Sequence, residues 1–526
     1  GLTALVGVYL FKALYLALLA FVQTRFIFNV RLRVAEQLFT TYLHQPWTFH
    51  LQRNSSQLIR NILAETQQLT TSALTPLMRI ITELMLITGL LTILLIAEPM
   101  GALSVGLVLG VASLAFYGAI RHPVNRWGKV RQYHERYVLQ HLQQGLNGVK
   151  DVKLLGREAE FARHYREHNQ AAAKMIRNQN LLSQMPRLWL EFLAVVGLAV
   201  LVASMLYRGS ALDTVLPTLA LFAAVAFRMM PSANKLVSSL QQLRFATPAV
   251  EALYEELQLT NNQAVADAER ASPASEVRLF ASALSFENVR FFYPDTETPA
   301  VDEISLEVRR GESVGLIGAS GSGKSTLVDL FLGILDPNQG RICMDDVDVH
   351  SNLRNWQNQI GYVPQTIYLT DDTLRRNIAF GLAEEEIDDG AVTRAIEAAQ
   401  LDEFVASLPD QLETIVGEHG VRLSGGQRQS IGIARALYLD PEVLVLDEAT
   451  SALDNATDVE VMKAISALHG RKTILIVAHR LTTVSGCDRI YRLDKGRIVQ
   501  AGAAQEVLGS QEMRLIGNQD LKRNAS

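Results

Sequence analysis

Long apolar stretches alternate with polar, helix-patterned ones through the first half of the chain, whereas the second half carries short apolar runs set between turn residues. Stretches near 1–22, 77–97, 101–121, 187–206 and 211–231 each approach the roughly 20 apolar residues that a helix needs to cross a bilayer. Glu98 and Pro99 break the second from the third, and 207–210 break the last two, which predicts two hairpins with short outer turns. The longer connections keep a helical period well past bilayer length, as over 130–155, so the spans are expected to continue as long helices beyond the membrane. These connections hold Arg25, Arg31, Arg33, Arg53, Arg60, Arg126, Lys129, Arg131, Lys150 and Lys153, which by the positive-inside rule makes them cytoplasmic. With the last span ending inside, an odd number of spans puts residue 1 outside. The apolar run also begins at Gly1 without a methionine, a basic leader or a cleavage site, so a truncated start and a sixth, upstream span are expected.

From 248 to 276 the chain turns polar, with Asn261, Asn262, Pro273 and Ser275, and reads as a linker. Beyond it, β-type runs at 313–317, 360–363, 443–446 and 473–477 alternate with helical stretches, the pattern of a mostly parallel sheet. Composition agrees with a chain partly solvated by lipid: 48% of the 526 residues are hydrophobic and 20% charged, which argues against disorder. A formal net charge of -5 lacks the basic surplus of a nucleic-acid binder. Cys343 and Cys487 have no metal-like spacing and read as free thiols in a reducing compartment.

The run 313–317 leads into Gly318-Ala319-Ser320-Gly321-Ser322-Gly323-Lys324-Ser325, a P-loop pattern in its strand–loop–helix setting. The glycines let backbone N–H groups converge on phosphate oxygens, the helix start adds its positive end, Lys324 neutralises the β/γ-phosphates, and Ser325 can ligate Mg²⁺. Gly318, Ser320, Gly321, Ser322, Gly323, Lys324, Ser325 and Thr326 are therefore the candidate phosphate-binding residues. Downstream, Val443-Leu444-Val445-Leu446-Asp447-Glu448 is a buried-strand run ending in two carboxylates. Asp447 suits the Mg²⁺ that a P-loop demands, and Glu448 suits the attacking water; solvation of a strand end is the competing reading.

Between these motifs, Leu423-Ser424-Gly425-Gly426-Gln427 resembles the signature of the ABC transporters. Tyr293 resembles the aromatic that stacks on adenine, Gln365 the Q-loop glutamine, Ser451-Ala452-Leu453-Asp454 the D-loop, and His479 the switch histidine. The resemblance implies an ABC exporter half-transporter: an all-α transmembrane domain over 1–247, the linker 248–276, and an α/β P-loop nucleotide-binding domain over 277–526. It implies ATP and Mg²⁺ as cofactors, with Glu448, His479 and Gln365 as the catalytic set and Ser325, Gln365 and Asp447 on the metal. It also implies two ATP-binding domains joined head to tail, so that Ser424 and Gly426 contact the γ-phosphate held by the partner's Lys324. Every matched position carries the residue expected for hydrolysis, which makes a homodimer the simplest assembly. His419, where the exporters' loop before the signature would have Arg, is a departure that touches domain coupling. Coupling itself is expected at the cytoplasmic turns around 47–53 and 145–157, with Gln365 linking it to the metal site.

The cargo has to be read from charges in the spans, since an ionised group at mid-bilayer costs about 2.5–3.5 kcal/mol or more. Lys12, Arg187 and Arg228 are such groups and point to an anionic cargo. The alternative is that the two arginines snorkel to the interface while Lys12 pairs with Glu83 or Glu191. Phe227-Arg228-Met229-Met230-Pro231-Ser232-Ala233-Asn234, Pro186-Arg187-Leu188-Trp189-Leu190-Glu191 and Phe11-Lys12-Ala13-Leu14 resemble segments of the bacterial flippases that move lipid-linked oligosaccharides for protein N-glycosylation, which would have Arg for Lys12. That resemblance implies an isoprenoid-pyrophosphate glycan carried across the inner membrane of a bacterium, with the nucleotide domain in the cytosol. A lipid-A or phospholipid flippase and a peptide or multidrug exporter are the alternatives. A non-transporting ABC ATPase is the alternative from another class.

Overall fold

Each long apolar stretch lies within a helix that outruns it. These are α1 (Leu2–His44), α5 (Thr75–Ala97), α6 (Pro99–Asn147), α8 (Glu158–Tyr207) and α9 (Leu212–Arg270), with the short α2 (Trp47–Gln52), α3 (Ser55–Arg60), α4 (Thr66–Gln68) and α7 (Val149–Leu154) between them. The computed structural model describes residues 2–97, 99–207, 212–270, 278–449, 465–478 and 480–509. Both predicted outer turns involve residues outside that set. At about 1.5 Å per residue, the 49 residues of α6 extend roughly 74 Å, more than twice a hydrocarbon core of ~30 Å. Among the described residues, Leu2–His44 and Ser55–Ile93 are long and apolar enough to cross a membrane. On α1, Leu5, Leu10, Phe11, Leu14, Leu18 and Phe21 all face outward, an arrangement that water does not tolerate over such a length.

The helical unit comprises Gly1–Gln45 and Phe49–Ala268, and polar contacts organise its interior. After Asn54 caps α3 through a 2.9 Å bond from the Ser56 N–H, the chain widens into two π-helical segments, Asn61–Glu65 and Leu69–Leu74, on either side of α4. Glu65 is wholly buried there, with Arg60 bonded to one carboxylate oxygen and Arg131 of α6 at 3.8 Å from the other. Gly128 allows α6 to meet α9, since a Cβ at that position would stand 2.4 Å from the Phe245 carbonyl oxygen. Within the predicted linker, α9 runs unbroken to Arg270, so 248–270 is helix.

The second unit, Pro46–Thr48 with Glu269–Ser526, contains two sheets. Strands β1 (Ala283–Phe291), β2 (Val301–Arg309), β4 (Gln339–Met344) and β5 (Val347–Asp348) form an antiparallel sheet in the order β2-β1-β4-β5. Strands β3 (Ser313–Gly318), β6 (Ile360–Val363), β7 (Val443–Asp447), β8 (Thr473–Val477), β9 (Arg489–Asp494) and β10 (Arg497–Gly502) form the other, ordered β10-β9-β3-β8-β7-β6. All but β10 pair in parallel. β7 and β8 are buried at every position, as strands covered on both faces must be. Ligands in such sheets bind beyond the carboxyl ends of the strands, where β3 and β7 deliver the P-loop and the two carboxylates.

Candidate functional site

The loop after β3 turns through two left-handed glycines, Gly321 (φ 77°) and Gly323 (φ 100°), before α10 (Lys324–Phe331) begins. A Cβ at Gly323 would lie 2.5 Å from the Ala300 carbonyl oxygen, while one at Gly321 would meet nothing within 4 Å. Gly321 thus faces open space, as a backbone that receives phosphate must. The Ser322 hydroxyl oxygen is buried without a partner, and the Lys324 ammonium donates to the carbonyls of Gly318 and Ala319, both at 2.9 Å. Burial holds Lys324 below the usual lysine range, opposed by the charges of Glu448 and Asp447. Tyr293 is tied to the same helix: its hydroxyl lies 3.1 Å from that of Thr326, and its ring stands edge-on to Phe291 at 5.1 Å.

Asp447 is nearly buried at the end of β7. Glu448 follows it with φ 50°, a left-handed conformation held by its N–H donating to Val477 at 3.0 Å. The Gln365 amide nitrogen donates to a Glu448 carboxylate oxygen at 2.7 Å, so two of the three predicted catalytic residues are in direct contact. With its NH₂ engaged by a carboxylate, Gln365 keeps its amide oxygen for a cation. That oxygen, the Ser325 hydroxyl and Asp447 are the hard oxygen donors that suit Mg²⁺. The sequence reading missed the surroundings of Asp447. Asp329 of α10 is pushed up to about 6 by burial and by the Asp447 charge, and burial also raises Tyr362, which bonds Asp447 from the neighbouring strand.

Ser424 is the N-cap of the helix Gly425–Leu437. Its hydroxyl oxygen accepts from the Gln427 N–H at 3.2 Å, and the Gln427 side-chain oxygen accepts from the Ser424 N–H at 2.8 Å. This box occupies the serine's lone pair and leaves its O–H as a donor at the positive end of a helix dipole. Gly426 is buried in the first turn. Asp454 with the rest of 451–454, His479, and the side chain of His419 lie outside the described residues.

The description "ABC transporter transmembrane region" matches residues 1–229, and "ABC transporter" matches 301–451. An ATP-dependent lipid A-core flippase of Thiobacillus denitrificans is 33% identical over 521 residues, covering 97% of this chain and 86% of the relative. The chain is an ABC exporter half-transporter. A flippase of the same description from Cupriavidus pinatubonensis is 31% identical over 97% of this chain and 84% of its own length. The solved structure of a bacterial Atm1-family ABC exporter with ATP bound superposes with a TM-score of 0.79 at 26% identity, covering 94% of this chain and 86% of that one. The two flippases sit with the lipid-A alternative rather than with the lipid-linked oligosaccharide reading.

In the exporter's membrane half, the three predicted cargo residues fare differently. Arg187 is exposed but bonded to Glu191 at 2.7 Å, one helical turn on. Lys12 is exposed, with its ammonium 5.5 Å from the Tyr9 ring centre. Neither acid proposed for it is its partner, because Glu83 pairs with Lys235 at 2.9 Å. The Arg228 side chain lies outside the described residues. The sequence reading passed over Arg79, although it falls inside a predicted span. With Gln23, Thr24, Thr75, Thr82 and Glu83, it gives a polar lining to a cavity of about 260 Å³ between α1 and α5.

Proposed function

We propose that this exporter flips an anionic, sugar-bearing lipid of the lipid A-core class across a bacterial inner membrane, as a homodimer with both ATP-binding domains in the cytosol. The observation that carries this reading is the similarity along 97% of the chain to flippases of that description. Arg79 beside the cavity between α1 and α5 adds a cation suited to a phosphorylated head group. An isoprenoid-pyrophosphate oligosaccharide is the second reading, favoured by the segments 11–14, 186–191 and 227–234; the Arg187–Glu191 pair weakens it by neutralising one of its three cations.

In the ATP cycle, Lys324 and the loop N–H groups hold the β- and γ-phosphates, and Tyr293, fixed by Thr326, stacks on adenine. Glu448, oriented by Gln365, takes the proton of the attacking water. Mg²⁺, when bound, neutralises phosphate charge, and Ser325, Asp447 and the Gln365 oxygen would hold it. By resemblance, Asp454 and His479 serve the D-loop and the switch. ATP binding joins the two nucleotide domains and opens the cavity outward, and hydrolysis resets it.

The test is ATP-dependent translocation in proteoliposomes, with labelled lipid A-core, isoprenoid-pyrophosphate oligosaccharide and phospholipid in parallel and Glu448→Gln as the inactive control. Movement of lipid A-core alone supports the proposal. Movement of the pyrophosphate lipid instead favours the second reading, and ATP hydrolysis with none of the three moved removes both.

A further inference from the structure

Four histidines on the parts of α6 and α8 beyond the spans play no role in ATP binding or in the proposed cargo path. His134 and His141 lie two turns apart on α6, and His164 and His168 one turn apart on α8. They meet in antiparallel order: the His134 and His168 Nδ1 atoms are 2.9 Å apart, with ring centres at 5.1 Å, and His141 faces His164 at 5.5 Å and His168 at 5.4 Å. All four are half-buried and within reach of water.

Two imidazole nitrogens sharing a tetrahedral ion at 2.0–2.1 Å stand roughly 3.3 Å apart, with ring centres at about 5 Å. The His134–His168 pair needs to open by only a few tenths of an ångström to reach that spacing. Orientation is already supplied from behind. Glu160 lies 3.0 Å from the His164 Nε2 and orients that ring. Tyr137 stacks on His168 at 4.8 Å and Tyr133 meets His134 edge-on at 5.2 Å, which limits ring rotation. The His134 and His168 Nδ1 atoms share one proton in a hydrogen bond, and the ion would take that proton's place between them. Among the described residues no three His, Cys, Asp or Glu donors converge, so the arrangement offers a two-histidine chelate completed by water rather than a closed cage.

We propose that His134 and His168 bind a borderline transition-metal dication of the Zn²⁺ class, with His141 and His164 as an auxiliary pair, and that the ion clamps α6 to α8. Imidazole donors select Zn²⁺, Ni²⁺ or Cu²⁺ and refuse Mg²⁺, which demands oxygen, so this site and the ATP site do not compete for one metal. His141 precedes α7 by eight positions, about 12 Å along the helix, so the clamp restrains the hairpin close to its turn.

The test uses the tag-free full-length protein in lipid nanodiscs, without nucleotide, dialysed against ZnCl₂ at pH 7.5 and 6.0. About one Zn²⁺ per chain is expected at pH 7.5, retained in millimolar Mg²⁺ and released at pH 6.0 as protons compete for the rings. Affinity should fall at least tenfold in H134Q/H168Q and less in H141Q/H164Q, with basal ATPase retained in both as evidence of folding. With Cu²⁺ in place of Zn²⁺, the EPR spectrum should carry imidazole-nitrogen coupling that the first double variant loses. Unchanged Zn²⁺ binding in H134Q/H168Q, displacement by Mg²⁺, or an absence of binding in the wild type would each overturn the proposal.

Discussion

Glu448 and Gln365 are the residues whose contact bears most directly on hydrolysis. A hydrogen bond to a charged acceptor contributes about 1.5–3 kcal/mol, and here it restrains a carboxylate whose backbone is already in a left-handed turn. Gln365→Ala should therefore lower kcat for ATP by roughly tenfold to a hundredfold, with a smaller change in KM, because the amide orients the base while Ser325 and Asp447 remain to hold Mg²⁺. Steady-state ATPase kinetics read this split. A raised KM with kcat intact would instead make Gln365 a nucleotide-binding residue. The motif residues that end up together here were legible because their types and order are dictated by phosphate chemistry. Asp329 and Tyr362 were not, because one sits on the helix after the loop and the other on the strand beside β7, and only three-dimensional packing unites them around Asp447.

Among elements, β3, β7 and β8 were readable because strands buried on both faces are written as unbroken apolar runs. The antiparallel sheet was not, since β1 has no apolar run: buried Leu284, Phe286, Val289 and Phe291 are separated by Ser285, Glu287, Asn288 and Arg290. That the linker begins as helix has an equally physical cause. Polar residues do not by themselves end a helix, and neither Gly nor Pro occurs from 249 to 270 to stop α9. The histidine row was invisible because the pairing of α6 with α8 decides it. Two predictions belong at this scale. Glu65→Ala leaves Arg60 buried without its acid, while Arg131 keeps Glu135 at 2.9 Å, and should cost about 3–5 kcal/mol, read as a lower unfolding temperature in nanodiscs; replacing Arg60 by Met in the same chain should recover most of it. The α6–α8 hairpin should also weaken in acid. The folded pKa values of His141 and His168 lie below the 6.5 of the free group, so as pH falls past about 6.5 the unfolded chain gains protons that the folded hairpin does not. Glu160 and Glu167 on α8, with Tyr133, Tyr137 and Gln144 on α6, are the other groups facing the row. Hydrogen exchange across α6 and α8 should accelerate from pH 7 to pH 5.5 in the metal-free protein, and H141Q/H168Q should flatten that dependence.

At the scale of the whole molecule, the proposed homodimer would hold each ATP between the P-loop of one chain and the signature of the other, an arrangement that complementation can test. Ser424 spends its oxygen capping its own helix and keeps its proton for an acceptor from elsewhere, while Lys324 sits at the start of a different helix in the same chain. A Lys324→Ala homodimer loses the lysine from both sites, and a Ser424→Ala homodimer loses the serine from both. A mixed dimer of the two has one site with both defects and one site with neither, because its intact lysine and intact serine come from opposite chains. Isolated through two different tags, the mixed dimer should trap about one ATP at close to wild-type affinity, whereas each homodimer binds at least tenfold more weakly, equivalent to ~1.4 kcal/mol per site. Fraying of the Ser424→Ala helix, worth about 1 kcal/mol for a lost cap, is present in the mixed dimer too and so cannot produce the rescue. If each chain completed its own site, every site in the mixed dimer would carry one defect, and its binding would match the average of the two homodimers.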